Sequence, residues 1–408
     1  MKKSHQTAST RRTRVFVFAA ALTLSISCDS AVKSTAVLAD EIPGPVVLKP
    51  IIADLSEGAI NSSEVRIEQA RDIEGAHFVN ASKGWVFGKK ALFVTSDAGK
   101  NWRLLPQELS EEARFSSIFF VDENRGWLIR NVRLLNREPY ASGNSSTILF
   151  TTDAGTSWAE QAIFSEGVQI EKLKFVDSDH GIAVGSRSKH PYEEIFVAKT
   201  KDGGRTWIDI TNKVKAAIGS GGGSTGGRGC DIYWRSLENI YVLTVYGRIF
   251  SSSDGGETWK TLVQFQDQRP GGWVSSVAYY HLVMDPKHQI RVLAGATGDE
   301  GYWADMVVPA DQSKWNSYEL PGMPLFDAVS LSENEILASG TELHRVSKER
   351  APLSLGLILY SADSGKSWKR LYRSKTEETF ISITRIADNQ FYAVSDAGTF
   401  LRFEMKNN

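Results

Sequence analysis

The stretch "SSSDGGETW" (Ser251–Trp259) has four close relatives in the same chain. Each follows the pattern Ser/Thr-x-Asp-x-Gly-x-x-Trp, which we call the repeat turn. An Asp in a turn accepts hydrogen bonds from backbone N–H groups, Gly adopts a positive φ, and Ser or Thr adds a second cap. The tryptophan can bury a large apolar face. Because a catalytic residue is not needed five times in one chain, we interpret these residues as structural: Asp97, Trp102, Asp153, Trp158, Asp202, Trp207, Asp254, Trp259, Asp363 and Trp368.

The tryptophans of the repeat turns follow one another at steps of 56, 49, 52 and 109 residues. The last step equals two periods, and Trp315 in "QSKWNSYEL" stands near its middle. A further unit with a degraded turn is therefore predicted around Trp315. A fixed period of about 50 residues is typical of repeat folds, in which each unit is one supersecondary element.

A second phrase runs in phase with the repeat turns and occurs seven times. In each copy, two apolar stretches flank a short polar turn, which predicts a β-hairpin. The copies are "HFVNASKGWVFG", "FFVDENRGWLI", "KFVDSDHGIAVG", "IYWRSLENIYVLT", "LVMDPKHQIRVLAG", "AVSLSENEILASG" and "TRIADNQFYAVS". Together with the two strands that flank the repeat turn, each unit has four antiparallel strands, the pattern of a β-propeller blade. The sequence predicts an all-β fold, a β-propeller with seven four-stranded blades.

The seventh unit ends one strand short, because the chain stops after "QFYAVSDAGTFLRFEMKNN". We expect a strand from the N-terminal part of the chain to complete this blade. The candidate is the apolar stretch "GPVVLKPII" (Gly44–Ile52). Pairing of this kind would remove an exposed sheet edge from the last blade.

Residues 1–28 are predicted to be a signal peptide of the lipoprotein type. A cationic start precedes the short apolar run Val15–Leu24, and this order is typical of secretory signals. The run is shorter than the roughly 20 residues that a membrane-spanning helix needs. "SISC" (Ser25–Cys28) resembles the site at which bacterial lipoproteins are cleaved and acylated on the cysteine. Acylation of Cys28 and plain cleavage nearby both stay open.

The rest of the chain is expected to contain a linker, residues 29–43, and a single propeller domain, residues 44–408. The protein is therefore expected to be exported to the periplasm or another extracytoplasmic site, with its only membrane attachment through Cys28 if that residue is acylated.

The overall charge is balanced, because 47 Lys and Arg residues oppose 48 Asp and Glu residues. Nothing global favours a nucleic-acid partner. Only Cys28 and Cys230 are present, and the seven histidines are scattered. The glycine-rich stretch Gly219–Gly229 lacks the Gly-Lys-Ser/Thr ending of a phosphate-binding loop. We therefore expect no metal and no cofactor.

The repeat turns resemble the Asp-box, or BNR repeat, of sialidases, some glycosidases, sortilin-like receptors and assembly factors. The phrases around Phe119–Trp127 and Thr151–Trp158 resemble, more narrowly, the photosystem II stability/assembly factor family and its bacterial relatives. This resemblance extends from about Ile73 to Phe403. It implies an exported, non-enzymatic propeller that acts as a binding or assembly scaffold for a membrane or exported protein complex. A monomer is expected.

Two other function classes stay open. One is a glycoside hydrolase of the Asp-box class, similar to a sialidase, which would need an arginine triad, a Tyr–Glu pair and an acidic Asp. The early Arg-Ile-Pro of sialidases is incomplete here, because Val65–Gln69 reads "VRIEQ". The other class is a receptor-like binder of sugars or peptides. A glycosidase that uses two carboxylates also stays open, because acidic residues are plentiful and their spacing in sequence does not give their separation in space. We expect no enzymatic activity.

In a four-stranded blade, the first and third turns share one face of the disc, and the second turns share the other face with the links between blades. The longer insertions all fall on the second face, which we call the loop-rich face: Asn131–Ser146, Ser186–Glu194, Lys213–Gly229, Ala296–Asp305 and Thr341–Gly356.

The loop-rich face is predicted to bind a protein partner, because loops on a rigid scaffold commonly carry function. The insertion of the fifth blade is acidic, whereas the others lean basic. The candidate partner-binding residues are Arg133, Arg137, Arg187, Lys189, Arg345, Lys348 and Arg350.

Overall fold

The computed structural model describes residues 46–48, 51–53, 59–106, 110–133, 144–189, 192–217, 229–245, 247–264, 277–287, 290–296, 316–318, 320, 322–344 and 352–406. The segment Pro43–Asn408 is one compact unit. The predicted signal peptide, with Cys28, lies outside the described residues. So does Trp315, the marker of the degraded unit.

The described chain is almost entirely β-structure, arranged as antiparallel sheets that follow one another along the sequence. Three strands precede the first blade: β1 (Val46–Leu48), β2 (Ile51–Ala53) and β3 (Ile60–Arg66). The first blade is formed by β4 (Ile73–Phe78), β5 (Gly84–Gly88), β6 (Leu92–Thr95) and β7 (Arg103–Leu105). The second blade is formed by β8 (Ala113–Phe120), β9 (Gly126–Val132), β10 (Ser145–Thr151) and β11 (Ala159–Phe164).

The third and fourth blades repeat this arrangement. The third is formed by β12 (Val168–Phe175), β13 (Gly181–Lys189), β14 (Tyr192–Thr200) and β15 (Ile208–Asp209). A short helix, α1 (Thr211–Ala216), follows it. The fourth is formed by β16 (Gly229–Trp234), β17 (Ile240–Thr244), β18 (Arg248–Ser252) and β19 (Lys260–Gln264).

The last three blades use strands from two parts of the chain. In the fifth, β20 (Val277–Met284) and β21 (Ile290–Ala296) form the described hairpin, and β22 (Asn316–Tyr318) follows them in the chain and pairs with β1. The sixth is formed by β23 (Leu325–Ser330), β24 (Ile336–His344), β25 (Leu353–Ser361) and β26 (Ser367–Glu377). The seventh contains β27 (Phe380–Ala387), β28 (Gln390–Ser395) and β29 (Thr399–Met405).

The seventh blade is completed by an N-terminal strand, although not by the predicted one. β3 pairs antiparallel with β29, from Ile60 opposite Met405 to Arg66 opposite Thr399. The expectation that Gly44–Ile52 closes this blade is therefore wrong. β1 instead pairs in parallel with β22, and β2 pairs in parallel with β26. A parallel strand beyond the fourth strand covers a blade edge that would otherwise be open.

The first strands of the blades form the inner wall of the ring. β4, β8, β12, β16, β20, β23 and β27 contact one another in this order, and β27 contacts β4 again. The all-β propeller prediction, with seven blades and an N-terminal closing strand, is confirmed, and six of the blades show at least four strands within the described residues.

Each first strand contains a register shift against its second strand, at the same place in all seven blades. A bulge of this kind increases the local twist and redirects a side chain. The residues that follow the shift are Gly75, Ser117, Lys172, Asp231, His281, Asp327 and Ser382.

The apolar core lies between neighbouring blades. For example, buried Trp85 and Leu105 of the first blade pack in one cluster with Phe115 and Leu128 of the second. Other clusters join the second blade to the third and the third to the fourth. Burial of apolar surface between blades is therefore the main force that holds the ring together.

Candidate functional site

The repeat turns share one hydrogen-bond pattern. In the first of them, the Thr95 hydroxyl donates to Asp97 Oδ1 over 2.9 Å and accepts the Gly99 N–H over 3.0 Å. Asp97 Oδ1 also accepts the Asn101 N–H over 3.0 Å. Gly99 has a φ of +78°, and a Cβ at this position would lie 2.0 Å from Cε1 of Phe400. The same contacts recur at Asp153, Asp202, Asp254 and Asp363.

These hydrogen bonds keep the aspartates ionised. The side-chain and backbone donors of Thr206 lower the pKa of Asp202 to about 2. Ser157 lowers the pKa of Asp153 in the same way, through its hydroxyl and its N–H. A carboxylate whose acceptors are occupied by its own turn, and whose pKa is depressed, is a poor general acid near neutral pH.

The tryptophans of the repeat turns pack onto the preceding blade. Trp102 lies against Phe400 of the seventh blade, with 5.2 Å between ring centroids. Trp368 is 1% exposed and shares a core cluster with Val283 and Leu293 of the fifth blade. Each of these tryptophans therefore packs in the interface between its own blade and the preceding one.

The Gly-Trp pair of the first two hairpins connects a blade to the next one. Trp85 stacks on Phe120 with 3.5 Å between centroids, and its Nε1 donates to the Ala154 carbonyl over 2.9 Å. Trp127 stacks on Phe175 in the same way, at 3.7 Å. The sequence showed the repeated phrase, but the partner of each tryptophan lies in another blade and is visible only in the fold.

The junction between the seventh and first blades uses a tyrosine instead. The Tyr392 hydroxyl donates to the Ala81 carbonyl over 2.6 Å. Its ring lies 5.0 Å from that of Phe78. The fifth blade uses the buried Arg291, which donates to the Glu333 carbonyl and, over 3.2 Å, to the Ser364 hydroxyl of the sixth blade.

On the inner wall, His281 bridges two carboxylates from neighbouring blades. Its Nδ1 lies 2.8 Å from Asp231 Oδ2, and its Nε2 lies 2.9 Å from Asp327 Oδ1. Asp231 Oδ2 also accepts the Leu282 N–H, and Asp327 Oδ2 accepts the Ile383 N–H. We call these three residues the inner triad. They hold the fourth to seventh blades together, and the sequence pattern does not reveal them because they come from three different blades.

The inner triad is charged at neutral pH. Burial alone would lower the pKa of His281, but the charges of Asp327 and Asp231 outweigh burial and raise the pKa to about 9. Burial alone would raise the pKa of Asp327, but the nearby His281 lowers it. Lys174 Nζ lies 3.7 Å from Asp231 Oδ1 and adds positive charge beside the triad.

The first and third turns lie together on one face, as the blade pattern requires. The N–H of Ala154, in a repeat turn, donates to the carbonyl of Asn124, in the first turn of the same blade. Equivalent bonds join the two turns in the first, third, fourth and sixth blades. We call this side the short-turn face. Its turns use many of their polar groups to bond each other.

The predicted partner-binding residues have different surroundings on the loop-rich face. Arg133 is exposed after β9. Arg187 forms an ion pair with Asp209, with 2.6 Å between Nη2 and Oδ2, and its guanidinium lies over the Phe196 ring. Lys189 ends β13, where its backbone pairs with Tyr192. The other four candidates lie outside the described residues: Arg137, Arg345, Lys348 and Arg350.

A cleft of about 530 Å³ opens on the loop-rich face, beside the sixth, seventh and first blades. The segments around it are the links before β4 and β27, the start of β25 and the turn between β28 and β29. We call it the acidic cleft because carboxylates dominate its lining: Arg71, Asp72, Ser354, Glu377, Glu378, Thr379, Asp396 and Ala397. It was not identified from the sequence, because its residues come from four separate segments.

Within the described ranges, no group of three or more His, Cys, Asp or Glu side chains has the arrangement of a metal site. The same part of the chain contains no helix that is both long and apolar enough to cross a membrane.

No protein-family model matches the sequence, and no curated protein matches it. Solved structures do match the fold. "YCF48 bound to D1 peptide" has a TM-score of 0.58 and 17% identity, and the match covers 88% of this chain and all of that one. "YCF48 from Cyanidioschyzon merolae" has a TM-score of 0.60 and 15% identity, over 85% of this chain and 99% of that one.

A second type of protein shares the architecture. The GH74 xyloglucanase from Xanthomonas campestris matches with a TM-score of 0.57 and 13% identity, over 84% of this chain and 53% of the xyloglucanase. At these identities, the likeness concerns the fold and not the activity. In its fold, the chain is a β-propeller that resembles the YCF48 propellers, as the sequence pattern predicted.

Proposed function

We propose that this chain is an exported, non-enzymatic scaffold that binds a protein partner through its loop-rich face. The observation that carries the proposal is the difference between the two faces. The described turns of the short-turn face bond each other in five blades, whereas the described part of the loop-rich face presents the exposed Arg133 and the acidic cleft. A YCF48 propeller that resembles this chain in fold has been solved with a bound D1 peptide, which supports a polypeptide ligand.

The partner is proposed to be an exported or membrane-associated complex. The N-terminal charge and apolar pattern support export, with Cys28 as the site of acylation if a lipid anchor is present. The propeller is proposed to act as a monomer. Palmitate labelling of the intact protein, and its loss in Cys28→Ala, would test the anchor.

Affinity capture from detergent-solubilised membranes tests the binding surface. Arg133→Glu changes an exposed residue on the loop-rich face, and Arg235→Glu makes the same charge change at an exposed residue of the short-turn face. We expect Arg133→Glu to reduce recovery of the partner severalfold and Arg235→Glu to leave it unchanged, with equal melting temperatures. Loss of capture in Arg235→Glu alone would contradict the proposal.

A glycoside hydrolase is the alternative function, and the GH74 xyloglucanase is the observation that favours it. Incubation with xyloglucan and with a panel of chromogenic glycosides distinguishes the two. A scaffold releases no sugar above the level of a heat-denatured sample. Turnover that follows the folded protein would replace the scaffold proposal with the hydrolase.

A further inference from the structure

The acidic cleft has an excess of negative charge. Its lining includes the carboxylates of Asp72, Glu377, Glu378 and Asp396, and a single guanidinium, that of Arg71. Arg71 is exposed and donates to the Ala70 carbonyl. Asp72 lies 3.4 Å from Lys89, in an ion pair whose side chains are 67% and 50% exposed. Exposed pairs of this kind are screened by water and neutralise little of the charge.

Glu378 is the unusual member of the lining. The residue is 5% exposed, and its Oε2 has no hydrogen-bond partner among the described residues. Its Oε1 lies 3.5 Å from the Thr376 hydroxyl, at the limit for a hydrogen bond. A buried carboxylate oxygen without a donor costs free energy, because it has lost water and gained no hydrogen bond in return.

Backbone hydrogen bonds, and not the side chain of Glu378, hold this part of the chain in place. The backbone N–H of Glu378 donates to the Ser354 carbonyl over 2.8 Å, and the neighbouring Thr379 N–H donates to Asp396 Oδ1 over 2.9 Å. These bonds fix the link between β26 and β27 without the Glu378 side chain. A neutral glutamine could occupy the same space. The unsatisfied Oε2 of Glu378 is therefore better explained by a ligand than by folding.

We propose that the acidic cleft binds a lysine or arginine side chain of the partner polypeptide. Such a cation carries three or five N–H donors and can contact several carboxylates at once. No arrangement for a metal ion occurs among the described side chains, and the cleft lies on the face proposed to bind the partner. The inference rests on the proposed function for the source of the cation, but the cleft is tested separately.

The probe is a fluorescent tetralysine peptide with blocked termini, measured by anisotropy at physiological salt. We expect Glu378→Gln to weaken its binding at least tenfold. Asp388→Asn is the matched control, because it removes one carboxylate from a fully exposed position on the short-turn face. This control should bind like the unchanged protein. A peptide with acetylated lysines, which carries no side-chain charge, should not bind.

The melting temperature separates binding from folding. Because one oxygen of the Glu378 carboxylate, Oε2, lacks a donor, Glu378→Gln should leave the melting temperature unchanged or raise it. A clear fall would show that the carboxylate is structural and would overturn the inference, as would equal peptide binding by Glu378→Gln and the unchanged protein. Spermidine binding as tight as the peptide's would replace the polypeptide with a free polyamine.

The two experiments distinguish an error in the cleft assignment from an error in the proposed function. If membranes yield a partner but Glu378→Gln captures it normally, the scaffold stands and the cleft assignment is wrong. If the peptide binds in the cleft but no partner is captured by the unchanged protein, the cleft stands and the scaffold is wrong.

Discussion

At the residue scale, His281 has a position that no single blade could create. Asp231, His281 and Asp327 follow the same register shift in three consecutive blades. The ring places the histidine between the two carboxylates, and each carboxylate also accepts a backbone N–H from the next blade. The inner triad is therefore a charge network that forms only when the blades stand in this order, with Asp231 fully buried and His281 and Asp327 mostly buried.

This network predicts a dependence of stability on pH. The pKa of His281 rises from 6.5 in the unfolded chain to about 9 in the folded one. A raised pKa stabilises the fold fully below the unfolded value, and this contribution is lost as the pH rises from about 6.5 through 9. The pKa of Asp327 is lowered from 3.8, so its contribution is lost as the pH falls below that value. The contribution of the triad should therefore be greatest between about pH 4 and 6.5.

His281→Gln tests the inner triad. Removing the cation leaves two buried carboxylates without a counter-charge, so we expect a loss of about 3 kcal/mol at pH 6, from chemical denaturation. The difference between the two proteins should shrink between pH 6.5 and 9. The triple variant Asp231→Asn, His281→Gln, Asp327→Asn removes the uncompensated charge and should recover part of the loss. A difference that grows towards pH 9 would contradict a protonated His281.

The local character of the repeat turn explains why its residues could be recognised in the sequence. Thr95, Asp97, Gly99 and Asn101 bond one another within seven residues, so the pattern is complete in one short stretch. The inner triad and the acidic cleft could not be recognised, because their members come from different blades. Their chemistry depends on distances that only the closed ring defines.

At the element scale, the apolar composition of Gly44–Ile52 led to the wrong prediction of the strand that closes the seventh blade. Gly44–Ile52 is more apolar than Ile60–Arg66, which reads "INSSEVR". The outer strand of a blade has one face towards the core and one towards water, so it needs few apolar residues. Most of the residues of β3 are exposed. The apolar residues of β1 and β2 belong instead to strands that pair with β22 and with β26, the outer strand of the sixth blade.

Two truncations distinguish these roles. Deletion of residues 1–53 removes β1 and β2, which contribute three residues of pairing each. Deletion of residues 1–66 also removes β3, whose seven residues pair with β29. We expect the shorter deletion to lower the melting temperature modestly. The longer one should abolish cooperative unfolding or lower the melting temperature much further, because it opens a sheet edge and uncovers the core of the last blade.

The comparison of the two melting temperatures decides which N-terminal strand closes the ring. Both truncated proteins should be compared by calorimetry in the same buffer, with the protein lacking only residues 1–43 as the reference. Equal melting temperatures for the two truncations would mean that β3 does not close the ring. A large loss on removing residues 44–53 alone would restore Gly44–Ile52 as the main closing segment.

At the scale of the whole molecule, the seven blades divide the surface into two chemically different faces. On the short-turn face, first turns and repeat turns bond each other in five of the blades. On the loop-rich face, the turns and links differ from blade to blade, as Arg133 in the second blade and the acidic cleft beside the last blades illustrate. A uniform face suits a scaffold, and a variable face suits recognition of one partner.

Site-specific photocrosslinking measures most directly which face binds the partner. A photoreactive amino acid is placed at the exposed residues Arg133 and Glu377 on the loop-rich face, and at Arg235 and Asp388 on the short-turn face. Each protein is irradiated with solubilised membranes, and the crosslinked products are identified by mass spectrometry. We predict one recurrent partner crosslinked from the first two positions and none from the other two. The same partner crosslinked from Arg235 and Asp388, and not from Arg133 or Glu377, would contradict the account.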